Sequence, residues 1–255
     1  MYELEYVRKR KKRKLAVIFG SIGTMGVTTF SIVAFLGRYV GSFTVSLEAK
    51  NVELTMSQSS SFENSTSHLS VNTLPSFQEF TYPEFSRFGG KAALDDETVP
   101  TFVGANPENE SLNFFKYTFF LKNVGSIPAK YNLSLKIKES VAASDGRTLD
   151  DTLRVMVFNN GKDEVYAKGS LNSPAPIAMS ETEAAQANRP FDGYAVNFAS
   201  SSEVMREDGL ELQPDEFRRY TIVTWLEGSR SSNTQTAPKG ATIKLGVEIN
   251  AYEKQ

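Results

Sequence analysis

The stretch from Leu15 to Leu36 contains no Asp, Glu, Lys or Arg, and it is entered directly from the run Arg8, Lys9, Arg10, Lys11, Lys12, Arg13 and Lys14. As an α-helix rising about 1.5 Å per residue it spans about 33 Å, enough to cross the hydrocarbon core of a bilayer. The seven basic residues hold its start on the cytoplasmic side. The expected organisation is therefore a basic cytoplasmic tail (1–14), a transmembrane helix (15–37) and an extracellular domain (38–255), a single span with the N-terminus inside and the C-terminus outside.

A removable export signal has an apolar region of roughly 7 to 15 residues and small residues before its cleavage point. This stretch is longer, and bulky residues stand two positions before each small exit residue: Ile32 before Ala34, Phe35 before Gly37 and Tyr39 before Gly41. Length and exit favour a retained anchor in the cell membrane, with secretion after cleavage as the alternative. A pilin-like helix fits poorly, because no acidic residue follows the basic run before Glu48 and strand-like alternation begins at Phe43.

The whole chain has a formal net charge of −2. Removing the first 37 residues takes away seven basic side chains and only Glu3 and Glu5, so the outer part is more acidic still. Phosphate-rich partners need a basic field, and nucleic-acid binding is excluded on that ground. The basic run is a topology determinant whose charge also suits anionic headgroups. The chain has no cysteine. An exported domain without disulfides must be held by a large core, a habit of Gram-positive surface proteins.

The outer part reads as strands. Phe43, Val45 and Leu47 alternate with Thr44, Ser46 and Glu48, and a shifted set, Val52, Leu54 and Met56, continues it after a bulge or turn. Phe115, Tyr117, Phe119 and Leu121 alternate with Lys116, Thr118, Phe120 and Lys122 before a turn around Gly125–Pro128. Tyr131, Leu133, Leu135 and Ile137 return, which predicts a hairpin. A second hairpin is predicted from Leu153 to Ala167 around Asn160-Gly161. Ser180 and Glu183 have capping-box spacing before a short helix, and strand-like Tyr194, Val196 and Phe198 follow it. Two strong strands, Phe217–Leu226 and Ala241–Tyr252, close the chain. Strands without a βαβ rhythm predict an all-β, antiparallel sandwich of Ig-like or jelly-roll-like type. The region at about 57–111, rich in serine and proline yet carrying Phe62, Phe77, Phe80, Tyr82, Phe85 and Phe88, reads as a long irregular insertion whose aromatics cover the sandwich edge or form a partner surface.

Chemistry is sparse. His68 is the chain's only histidine, which works against a catalytic triad or a histidine-based zinc site. The acidic pairs Asp95-Asp96-Glu97, Asp150-Asp151, Glu207-Asp208 and Asp215-Glu216 lack the spacing of a calcium loop and read as solvated turns. No catalytic, cofactor or metal residue is assigned. The only tryptophan, Trp225, reads as a plug at the end of the sandwich, with ligand stacking as the sharper alternative.

Four elements in order resemble Gram-positive exported β-sandwich proteins of the TasA and camelysin type. They are the N-terminal hydrophobic segment, the early strand Gly41–Val45, the segment Tyr117–Ala129 with Tyr131, and Trp225-Leu226-Glu227-Gly228 followed by Ile243–Leu245. Ser229-Arg230 stand where that group often has an aspartate. The resemblance implies a surface or biofilm-matrix protein with a structural role. The proteolysis assigned to camelysin-type proteins is not carried over, because the chain has no His-Glu-x-x-His. The expectation is a non-enzymatic protein whose partners are the membrane, through the apolar stretch, and itself or another envelope protein through a strand edge. By the same analogy Phe43–Met56 is an exchangeable first strand. A binding module for wall polysaccharide or peptide, built on the aromatics of Phe77–Phe88, is the alternative.

Overall fold

The alternating segments fold into two β-layers packed face to face, an all-β sandwich. The computed structural model describes residues 39–50, 53–77, 79–95, 101–106, 111–159, 161–170, 172–228, 237–238 and 240–253. The basic run Arg8–Lys14 and the apolar stretch Leu15–Leu36 lie outside the described residues, and Arg38–Gln255 forms a compact unit.

The first layer is built on β6 (Ser111–Asn123), β12 (Phe217–Glu227), β8 (Leu153–Asn159), β9 (Lys162–Ala167) and β10 (Val196–Asn197), hydrogen-bonded in that order. Beside β6 lie β2 (Leu54–Ser57) and β5 (Thr101–Asn106), and β4 (Glu79–Phe80) pairs with the end of β12. The second layer runs β3 (His68–Phe77), β1 (Tyr39–Lys50), β13 (Thr242–Glu253), β7 (Ala129–Val141) and β11 (Glu203–Leu212). One bridging pair, Phe77 with Leu112, connects the layers.

Between the layers lies the main core. Phe115, Tyr117, Phe119, Leu121, Val155, Val157, Tyr220 and Ile222 point in from the first layer; Tyr131, Leu133, Leu135, Val247 and Ile249 meet them from the second. The phase of the alternations at 115–121, 131–137 and 243–249 is the one read from the sequence, because a strand buries every second side chain against the facing sheet.

Four expectations change. The predicted 115–137 hairpin is not a hairpin: β6 pairs with β12 and β7 pairs with β13 and β11, so the turn crosses from one layer to the other. Alternation is identical in the two arrangements, and only the partner differs. Buried Asn123 fixes the crossing, its Nδ2 donating to the Ile127 carbonyl (2.8 Å) and the Leu212 carbonyl (3.1 Å), while its Oδ1 accepts from Gly125 N–H. Second, the sandwich is mixed rather than purely antiparallel, since β1 runs parallel to β13. Third, the single strand Phe43–Met56 of the family analogy is two strands, divided where the alternation shifts: β1 ends at Lys50 in one layer and β2 begins at Leu54 in the other. Fourth, the 57–111 region is an integral part of the fold, because β3 pairs with β1 and β5 with β6.

The β8–β9 hairpin has the predicted two-residue loop, with Gly161 at φ +75° where an L side chain would be strained. The helix Glu181–Gln186 is capped as read: Ser180 Oγ accepts from Glu183 N–H, and the Glu183 carboxylate accepts from Ser180 N–H at 2.9 Å. The strand expected over Tyr194–Phe198 shortens to β10. Strand β11 carries no clean alternation, and it is bulged twice, between Glu203 and Met205 and between Glu207 and Leu210.

Candidate functional site

On a half-buried strand the outer residues should be polar, yet the outer face of the first layer carries Phe114, Met156, Phe158, Val165, Val223 and Trp225, all buried in a second core. The cover is supplied by the aromatic insertion. Phe80 and Phe85 pack beneath the 3-10 turn Tyr82–Phe88, Phe85 meeting Trp225 edge-on at 5.1 Å and Phe114 at 4.9 Å. Leu94 in the short helix Gly90–Leu94 joins them, and Ala175 and Ala195 close the side nearest β9. Trp225 is fully buried, so its ring is packed and presents no face for ligand stacking. It sits on the outer face of β12, not at the end of the sandwich.

The Trp225-Leu226-Glu227-Gly228 motif fastens this cover. Glu227 is only 2% exposed, and its Oε2 accepts from Trp225 Nε1 (2.9 Å) and from the backbone N–H of Tyr82 (3.1 Å). Leu226 and Glu227 pair in parallel with Glu79 and Phe80, and Gly228 N–H donates to the Phe80 carbonyl. Leu226 turns the other way, into the main core. Beside Trp225 across the β8–β12 ladder stands buried Arg154, whose Nε, Nη1 and Nη2 donate to the carbonyls of Ile177, Leu153 and Pro176 at 3.1 Å each. One carboxylate and one guanidinium thus tie two excursions, 79–94 and 175–177, to the same face. Burial first, and the charge of Glu227 second, raise the pKa of nearby Asp192.

A second polar group lies inside the sandwich, and sequence reasoning missed it by treating its tyrosines as apolar. The hydroxyls of Tyr131 and Tyr220 hydrogen-bond at 2.7 Å across the core. Burial, then the neighbouring Tyr131, push Tyr220 far above the usual phenol range. Arg218 lies over the Tyr131 ring at 6.0 Å, and Asn159 donates to Glu207 at 2.8 Å, joining β8 to β11. Tyr166 is raised by burial and by the Glu164 carboxylate, to which it donates at 2.6 Å. The signal available in the sequence was two phenols, Tyr131 and Tyr220, in otherwise apolar strand phases.

The remaining candidates are scattered. His68 is exposed at the start of β3. Asp95 accepts from Arg219 at 2.6 Å, Lys168 bridges Asp150 and Asp151, and Asp215 faces Lys122. Among the described residues no group of His, Cys, Asp and Glu is arranged to hold a metal ion. Among the same residues no helix is long and apolar enough to cross a membrane. No protein-family model matches the chain, and no curated protein matches it.

Proposed function

We propose that the chain is a non-enzymatic, membrane-anchored protein of the Gram-positive cell surface, of TasA and camelysin type, with a structural role in the envelope or biofilm matrix. Its sandwich is read as Ig-like or jelly-roll-like, held N-in and C-out by the segment 15–37. The observation that carries this reading is the position of β1. It begins within two residues of that segment, leaving no linker, and it is inserted between β13 and β3 in the middle of a layer. A first strand so placed ties the domain to whatever holds the N-terminus, and it offers self-association a route in which one subunit lends β1 to the next.

Free edges offer less. Strand β11 is bulged and carries Arg206, Glu207, Asp208 and Glu211, features that oppose strand addition. The wall-polysaccharide or peptide alternative draws no support from Phe80 and Phe85, whose rings are buried.

Locking β1 in place tests strand lending. Ser46 and Glu248 are register partners, and the chain has no other cysteine to interfere. A Ser46→Cys, Glu248→Cys chain is expected to lose assembly when oxidised and regain it when reduced; equal assembly in both states rules lending out. The anchor is tested by N-terminal sequencing of the cell-derived protein. An intact Met1 or Tyr2 is expected, and a start between Gly37 and Ser42 overturns retention.

A further inference from the structure

Strands β1 and β13 are the first and last of the domain, they are direct neighbours, and they run parallel. Their ladder proceeds from Val40–Thr242 to Lys50–Tyr252 without a register shift, unlike the β1–β3 ladder, which is broken twice. The parallel arrangement places the start of β1 and the end of β13 at opposite ends of one ladder. Had the strands been antiparallel, the two chain ends would leave at the same end.

We propose that this pair is a mechanical clamp, by which the domain bears tension applied between its N-terminal attachment and its C-terminal end. A pull on those two points acts along the strands and across their hydrogen bonds, so every bond from Val40 to Lys50 is loaded together. A pull on two points at one end of the same ladder loads the bonds singly, and they part in succession. Neither strand is an edge: β3 flanks β1, and β7 flanks β13 along Thr242–Glu253, so load passes into the whole layer. Side chains oppose sliding as well, since Leu245, Val247 and Ile249 are buried between the layers and partly buried Leu47 packs against them. Ser46 Oγ adds a cross-strand bond to the Val247 carbonyl at 3.4 Å. Where the load originates rests on the anchored reading above; the direction of resistance follows from the topology alone.

The cysteine-free chain permits a direct test, because handles can be attached at chosen points. The full chain in lipid nanodiscs is pulled in two geometries, Gly37→Cys with Lys254→Cys for shear and Gly37→Cys with Lys239→Cys for unzipping. Thermal midpoints equal to that of the parent show that both fold alike. Survival under force is set by the unfolding rate, and at one constant force the shear pair is expected to last at least about tenfold longer than the unzipping pair. Equal lifetimes, or a longer one for unzipping, overturn the clamp. A mature N-terminus beginning after Gly37 would instead overturn the anchored reading, while the ratio of the two lifetimes would still decide the clamp.

Discussion

The two layers share one interior core and differ on their outer faces. Behind the first layer, Trp225, Phe114, Met156 and Val223 are covered by the aromatic insertion and form a second core. Behind the second layer, Lys136, Lys138, Lys244, Glu139 and Glu248 stand on β7 and β13 and meet solvent, with Lys136 and Lys138 both reaching Glu248 and Lys244 reaching Glu139. A face closed by rings depends on packing, which has no substitute when an atom is removed. A face of ion pairs depends on Coulomb terms that water already weakens. The same sandwich is thus sealed on one side and open to polar contact on the other.

The contrast is broken most severely at Trp225. Trp225→Ala is expected to cost about 3–5 kcal/mol, through lost burial and the cavity left among Phe85, Phe114 and Tyr82, and urea unfolding would read it as a lowered midpoint. A cost below about 1 kcal/mol would mean that the cover is dispensable. Glu227→Leu comes next, because it leaves Trp225 Nε1 and Tyr82 N–H without their buried acceptor, at about 1–3 kcal/mol each. Limited proteolysis should then cut first within 79–95, and Glu227→Gln, which keeps an acceptor, should be milder. Inside the sandwich, Tyr220→Phe is expected to cost about 1–1.5 kcal/mol by stranding the Tyr131 hydroxyl. On the open face, Lys138→Ala should change stability by less than about 1 kcal/mol, and that little should vanish in high salt.

Acid sharpens the same comparison. Hydrogen bonds from Lys136 and then Lys138 hold Glu248 below the usual carboxylate range. Its folded pKa is depressed, so its stabilisation is present above the unfolded value and is lost as pH falls through the folded one. Burial works against ionisation of Asp150, but bonds from Lys168 and Thr148 outweigh it and the net shift is also downward, with the same sign. Stability should therefore fall below about pH 4, and Lys168→Ala should lower stability at neutral pH while shrinking that fall, because an Asp150 left mainly to burial has less stabilisation to lose on protonation. An acid fall unchanged in size by that substitution would show that Lys168 does not set the Asp150 contribution.

Strand phase was legible in β6, β7 and β13. The apolar sets 115–121, 131–137 and 243–249 point into the core as their period of two requires, and the turn glycine Gly161 and Ser180 cap stand where their chemistry put them. Strand β11 escaped notice because its bulges break the period, and β3 because serine and proline mask it. The site was legible in part. Trp225-Leu226-Glu227-Gly228 was singled out by composition and order, but its role in fastening the insertion was not, because Tyr82 lies 145 residues from Glu227.

By itself the sequence determined which side is apolar in the strands with clean alternation, and that a cysteine-free fold must rely on its core without disulfides. Those properties are local, set by neighbours one or two residues away. Only the tertiary structure decided that β6 and β7 face one another across the core instead of pairing, that β1 lies parallel to β13, and that the aromatics Phe80, Tyr82, Phe85 and Phe88 close one outer face. Each of these is a choice of distant partner, and a backbone N–H or an apolar ring carries no local mark of the strand it will meet.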